Sequence, residues 1–280
     1  MTKTLFVSDL DGTLLGSDSK ISPASVLLLN QAIEKGALFS IATARTPSTV
    51  DLLLKDVKTR LPFIVMTGSA MWDPATKQYS HIVNIPEHTA ARVMEAFRSN
   101  GLPTFIYTLG GGVSDIYHYG PVSEAEREFI AQRDDSEFKR FHIPADGTST
   151  LPSPLEGTVL FYAMQPSAHT EAAYNEIRGI EGCNPIYYHD MYGPDMGILE
   201  VFSAEASKAN ALMRLKRMTG AERVVVFGDN INDLPMMRVA DVAVAVENAV
   251  EEVKREADIV IGPNTSDSVA RYICEEYGAV

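Results

Sequence analysis

The chain has 280 residues, 45% of them hydrophobic and 22% charged, which is enough for a sizeable core and for two domains. A formal net charge of -13 argues against nucleic acid as a partner, because phosphate backbones are held by an excess of Lys and Arg; any phosphate bound here must find its cations locally. Two cysteines, Cys183 and Cys274, make no disulfide scaffold, the start MTKTLFVSDLDG carries an acid too early for a signal peptide, and no apolar run approaches the roughly 18 residues of a membrane span. The expectation is a cytoplasmic protein without membrane attachment, a monomer or small homo-oligomer.

In chain order, short and almost continuously apolar runs alternate with helical patterns. TLFVS (4–8), ALFSIA (37–42), PFIVMTG (62–68), RVVVFGD (223–229), VAVAVEN (242–248) and ADIVIG (257–262) suit strands buried on both faces, hence a parallel sheet. Between them, Ser22-Pro23 opens a helix that stops at Gly36, Thr46-Pro47 opens another, Ser207 caps one closed by Gly220, and Ser266 precedes a last one ending near Gly278. Such βαβ alternation predicts an α/β, doubly wound, Rossmann-like core.

The middle reads differently. A helix over Glu87–Asn100 precedes PTFIYTLGGGVSDIYHYG, a glycine turn between two aromatic-rich strands, and then a charged helix from Ser123 to about Lys139. EGTVLFYAMQ, a helix from Ser167 to about Ile180, and the strands PIYYHD and GILEVF complete it. This predicts an α+β unit inserted over 84–203, leaving 1–83 and 204–280 as the core. IPADGTSTLPSP (143–154) reads as a loop within the insertion.

The chemistry gathers where strands end. Asp9 and Asp11 follow the first strand in FVSDLDGTLL, Asp229 ends another in VVVFGDNINDLPMM, and Asn232 and Asp233 open the helical stretch after it. In a doubly wound sheet these carboxyl ends line the site. Carboxylates converging there repel one another unless a cation sits among them, and all-oxygen ligands favour a hard ion such as Mg²⁺, whereas none of the six histidines lies in these segments to suit zinc. Each motif alone has a cheaper reading: Asp-Gly as a turn, GDNIND as a strand-to-helix connection with capping residues, Thr43-Ala44-Arg45 as an ordinary helix approach, Lys208 as a solvated residue in a helix's first turn. What those readings leave unexplained is that all four fall at strand ends or helix starts in a regular order.

That order, Asp-x-Asp-Gly-Thr, then Thr43 with Arg45, then Lys208, then Gly228-Asp229-x-x-Asn232-Asp233, resembles the haloacid dehalogenase superfamily; the insertion looks like its type IIB cap, and the full length is similar to the Cof-type sugar-phosphate phosphatases. The resemblance implies a phosphatase of small phosphorylated metabolites that works through an aspartyl phosphate. It makes Asp9 the nucleophile and Asp11 the acid and then the base. Lys208 neutralises charge on nucleophile and phosphoryl group, Thr43 and Asn232 bind phosphate, and Arg45 reaches the phosphate or leaving group. Mg²⁺ falls to Asp9, the Asp11 backbone carbonyl and Asp229, with Asp233 supporting it directly or through water or Lys208. By the same analogy Tyr107, Tyr117, His118, Tyr187, Tyr188 or the loop 190–197 contacts the leaving group, although packing explains each of the aromatics more cheaply. Three departures stand out: Thr67-Gly68 where Asn-Gly is frequent, Ala209 in place of glycine after Lys208, and Asp-Ser-Val at 267–269 in place of Asp-Gly-Val. A phosphomutase on the same core and a non-catalytic phospho-ligand sensor are the alternatives; a sensor has no need of Asp11.

Overall fold

A computed structural model describes residues 2–278 apart from 134–135, 144–148, 153–154, 156 and 190–194. The chain divides into two units, Met1–Ser80 with Ser207–Val280, and His81–Ala206. The sequence expectation places the divisions near 83 and 203.

The first unit begins with β1 (Thr4–Ser8), α1 (Pro23–Glu34), β2 (Leu38–Ile41), α2 (Pro47–Leu53), β3 (Phe63–Val65), β4 (Ala70–Asp73) and β5 (Gln78–Ser80). The inserted unit follows with α3 (Glu87–Ser99), β6 (Thr104–Gly110), β7 (Val113–Tyr119), α4 (Glu124–Ala131), β8 (Lys139–Phe141), β9 (Thr158–Pro166), α5 (Ser167–Ile177), β10 (Cys183–His189) and β11 (Met196–Ser203). The chain then returns through α6 (Lys208–Thr219), β12 (Arg223–Gly228), α7 (Leu234–Met237), β13 (Val242–Val246), α8 (Glu251–Glu256), β14 (Ile259–Ile261) and α9 (Ser268–Glu276).

The expected doubly wound parallel sheet is present, in the order β14-β13-β12-β1-β2, with every neighbour parallel. A parallel bridge from Ala42 to Ile64 adds β3 beside β2. β1 is central and buried along its whole length, as its five-residue run without polar alternation requires. The carboxyl ends of β1 and β12 are therefore neighbours, Ser8 paired with Phe227, and this brings residue 9 beside residues 228 and 229 across more than two hundred positions of sequence. Among the described residues no helix is long and apolar enough to cross a membrane.

The inserted unit has a six-stranded sheet, β10-β11-β9-β6-β7-β8, antiparallel except where β7 meets β8. On one face Ile106, Phe161, Leu199 and Val201 pack with Val93 and Phe97 of α3 and Ala173 and Ile177 of α5. On the other, Phe129 of α4 stacks on Tyr162 at 5.3 Å and tilts against Phe105 at 5.2 Å.

Two details differ from the sequence reading. The charged helix from Ser123 stops at Ala131, and Lys139 belongs to β8. Ser123 and Glu126 start this helix with a reciprocal capping box, but AQRDDSEF supplies no apolar period to continue it. β4 and β5 were not expected. They form an antiparallel hairpin with β3, turned by Asp73, whose Oδ1 accepts from the Ala75 and Thr76 backbone N–H groups.

After β3 the backbone runs through three successive positive φ values, Met66 at 50°, Thr67 at 57° and Gly68 at 92°. Thr67 is β-branched and pays for the left-handed conformation, whereas Asn tolerates it. Thr67→Asn is expected to stabilise the protein by roughly 0.5–1 kcal/mol, read as a higher denaturant midpoint with an unchanged slope; a lower midpoint would contradict the strain.

Candidate active site

Asp9 leaves β1 directly, its N–H donating to the Phe227 carbonyl at 3.0 Å. The chain then coils through Leu10–Leu14, with Gly12 at φ 79°. Glycine is required twice here: the backbone is left-handed, and a Cβ would collide with the Asp229 carboxylate. Next to it the Thr13 hydroxyl donates to Asp229 Oδ1 at 2.8 Å, tying the first turn to the end of β12.

Lys208 is the first residue of α6, which Ser207 caps by accepting from the Asn210 N–H at 3.0 Å. The helix start comes so close to the 66–68 turn that a Cβ on Gly68 would overlap the Ser207 carbonyl. From there the Lys208 ammonium reaches Asp9 Oδ1 at 2.6 Å and Asp233 Oδ1 at 2.7 Å. Lys208 is 1% exposed and Asp233 0%. Asp233 Oδ2 accepts from the backbone N–H groups of Asp229 at 3.0 Å and Asn230 at 3.2 Å, so both its oxygens are engaged. Gly228 makes room for it, since a Cβ there would lie 2.6 Å from that of Asp233.

Asp9, Asp229 and Asp233 each offer an oxygen within 4.8 Å of the other two. One ammonium faces three acids. Burial pushes the Asp9 carboxyl up to about 7; the Asp233 and Asp229 charges add to this and Lys208 opposes it. Burial also raises Asp229, helped by the charges of Asp233 and Asp11 and resisted by the Thr13 hydrogen bond. Burial works against the Lys208 charge, but Asp9 and Asp233 together outweigh it and hold the ammonium above its ordinary value. The cluster is thus made of hard oxygen donors and is short of positive charge, which is what a Mg²⁺ site needs, and the uncommitted lone pairs belong to Asp9 and Asp229.

The other candidates divide. Thr43 is buried, and its Oγ1 accepts from the Arg45 N–H at 3.1 Å, which leaves the hydroxyl proton for another acceptor. The Asp11 carboxylate is not part of the acidic trio; it is gripped by Arg45, Nε to Oδ2 at 2.7 Å and Nη2 to Oδ1 at 2.6 Å. Asn232 is exposed in the turn Ile231–Asp233. Sequence reasoning passed over Thr13, Gly12 and Gly68, although the first two stand inside the Asp-x-Asp-Gly-Thr motif. Of the aromatic candidates in the insertion, Tyr107 is buried, Tyr117 stacks on His142 at 4.7 Å, buried His118 meets Glu126 at 3.3 Å, and Tyr187 stacks on Tyr174 at 5.7 Å. Tyr188 is 44% exposed. Residues 190–194 of the loop 190–197 lie outside the described residues.

A parallel α/β sheet with an α+β insertion, and four acids and a buried lysine distributed about the ends of β1 and β12, define a class of hydrolase. Residues 6–273 match the haloacid dehalogenase-like hydrolase family, and the chain belongs to it. It is 24% identical over 284 residues, 95% of each chain, to the 5-amino-6-(5-phospho-D-ribitylamino)uracil phosphatase YwtE of Bacillus subtilis. It is 25% identical over 277 residues, 98% of each chain, to the pyridoxal phosphate phosphatase YbhA of Escherichia coli. Among solved structures, a haloacid dehalogenase-like hydrolase from Bacteroides thetaiotaomicron shares the fold with a TM-score of 0.76 at 23% identity, over 98% of this chain and 99% of that one. The HAD subclass IIB sugar phosphatase BT4131 does so with a TM-score of 0.72 at 20% identity over the whole of both chains.

The raised Asp9 has a consequence for stability. Its carboxyl takes up a proton more readily in the folded metal-free protein than in the unfolded chain, so this stabilisation is complete below the ordinary value of 3.8 and is lost as pH rises through about 7. Metal-free Asp9→Asn should therefore show a flatter dependence of melting temperature on pH between 5 and 8 than the metal-free wild type, and Mg²⁺ should raise the wild-type melting temperature more at pH 8 than at pH 5. Identical pH slopes for the two proteins would show that Asp9 does not titrate in this window.

Proposed function

We propose that this phosphoric monoester hydrolase removes phosphate from small phosphorylated metabolites, sugar phosphates foremost, by way of a phosphorylated Asp9. The observation that carries the reading is the Lys208 bridge: one oxygen of Asp9 is held by the ammonium at 2.6 Å, which orients the carboxylate and leaves the other oxygen for attack. The two phosphatase relatives support phosphate ester hydrolysis, and the sugar phosphatase among the structural neighbours supports the sugar class.

In the first half-reaction an Asp9 oxygen forms a bond to phosphorus as the bond from phosphorus to the ester oxygen breaks. The departing oxygen takes a proton from Asp11. In the second, water attacks the phosphorus, Asp11 receives its proton, and the Asp9–phosphorus bond breaks to free inorganic phosphate. Thr43 donates its hydroxyl proton to a phosphoryl oxygen, and Asn232 donates from the turn after β12. Lys208 opposes the effect of burial on the Asp9 charge and spreads its own charge toward the phosphoryl group, while Asp233 holds Lys208 in place. Asp9 and Asp229, with the Asp11 carbonyl, would hold Mg²⁺; Asp233, both oxygens already engaged, supports the site through Lys208. When bound, the ion supplies charge neutralisation for the nucleophile and the phosphoryl oxygens. Since these residues account for phosphoryl transfer alone, substrate choice is assigned to the inserted unit.

Two measurements test this. Phosphate release should stop with a chelator and return with Mg²⁺; undiminished activity in metal-free buffer would sink the mechanism. The second separates the two acids by mass spectrometry with acetyl phosphate as an activated donor. Asp9→Asn should neither turn over nor gain the mass of a phosphoryl group. Asp11→Asn should accumulate a hydroxylamine-labile phosphoenzyme while hydrolysis slows roughly 10²- to 10⁴-fold, the range of general acid-base catalysis. Wild-type turnover of sugar phosphates by Asp11→Asn would reverse the assignment.

A further inference from the structure

The Arg45–Asp11 contact is a closed fork. Two parallel hydrogen bonds of 2.7 and 2.6 Å commit both carboxylate oxygens to one guanidinium. A carboxyl group so held is oriented by the guanidinium and cannot turn to an ester oxygen or to a water without opening the fork. The guanidinium fork, however, matches a phosphate as well as it matches a carboxylate.

The base of the fork is fixed while its head is accessible. The Arg45 N–H donates to Thr43 Oγ1 at 3.1 Å, the Arg45 carbonyl accepts from the Met66 N–H at 3.1 Å, and the Thr43 carbonyl accepts from the Thr67 N–H at 3.0 Å. The last two of these bonds pin the 43–45 backbone to the 66–67 turn and the first braces it internally, leaving the side chain of Arg45 as the part able to move. The Asp11 and Arg45 side chains are 50% and 25% exposed, so an anion arriving from solvent meets both. That anion also meets the acidic trio, whose Lys208 is already shared between two carboxylates. Arg45 is the cation an incoming phosphoryl group can recruit, and the dianion attracts it more strongly than the single charge of Asp11 does.

We propose that Arg45 is a positioning residue for Asp11: without phosphate its fork holds the Asp11 carboxylate off the reacting centre, and an entering phosphoryl group takes the fork and releases Asp11, which takes up a proton from solvent as it leaves the guanidinium and then faces the ester oxygen. The inference rests on the reading of Asp11 as acid and base given above. Its consequence is that the proton-transfer group is deployed only while a phosphoryl group is in place, and that departure of the product phosphate lets the fork close again.

The test uses the full chain labelled with ¹⁵N-arginine, with Mg²⁺ and inorganic phosphate as the probe. The Arg45 Nε–H resonance is identified by its loss in Arg45→Gln. In the wild type it should shift when phosphate is added, to the position it takes in phosphate-bound Asp11→Asn. By calorimetry Asp11→Asn should bind phosphate about fivefold more tightly than the wild type, the order of an exposed ion pair no longer competing for the fork. If the wild-type resonance keeps its phosphate-free position while calorimetry records phosphate binding, the fork never leaves Asp11 and the proposal is overturned, with the phosphatase reading intact. A wild type that takes up no phosphate overturns both. The wild-type shift decides the matter without the Asp11 variant, should that variant fold poorly.

Discussion

The buried ammonium of Lys208 is the interaction on which the rest of the site depends. Two of the three clustered acids are sealed from solvent together with it, and charges removed from water persist only when they are paired and hydrogen-bonded. Removing one partner from such a set leaves an uncompensated buried charge, a loss on the order of 3–5 kcal/mol. The lysine does not complete the neutralisation, and this is functionally useful: a fully paired cluster would have no call for a metal, and an unpaired one would not stay ionised. Asp233 is hydrogen-bonded on both oxygens, whereas Asp9 and Asp229 are each held through one.

The acids converge because the backbone is allowed unusually close approaches. Gly12 passes against Asp229, Gly68 against the start of α6, and Gly228 against Asp233. In each case the volume of a methyl group is what separates a compact site from a spread one. The first two glycines also hold left-handed backbone, so a side chain at either would meet both a conformational and a steric penalty. The neighbouring Thr67 carries that conformation without the glycine, storing strain beside the turn that pins Thr43 and Arg45.

The parallel sheet was legible in the sequence because β1, β12 and β13 are buried on both faces and so read as unbroken apolar runs. The acids could be located for a related reason, since each stands where such a run stops. The β4–β5 hairpin was hidden by strands of three and four residues, too short for alternation to register, although the Asp73 turn marked the reversal. Charge misled the reading after Ser123, where a polar stretch with helix-forming residues continued the pattern past the true end at Ala131. Within the site, what escaped was the relation between side chains. Asp11 and Arg45 lie 34 positions apart on different loops, and each had been matched separately to a role around phosphate; nothing in one dimension says that they grip each other. Likewise, that Asp233 has no oxygen to spare follows from two backbone donors that only the fold supplies.

The position of β1 in the middle of its sheet bears on how the protein is made. One side of this strand is covered by β2, about thirty residues later, but the other waits for β12, whose paired residues begin at Arg223. At a synthesis rate of roughly 5–20 residues per second, the interval between the two is on the order of 10–40 s, during which a five-residue apolar strand has an open hydrogen-bonding edge. The inserted unit, whose sheet is assembled wholly from residues 104–203, can complete its own pairing within that interval. The nascent chain therefore passes through a stage in which the edge of β1 later covered by β12 is open to pairing with another strand, an exposure that ends when β12 docks.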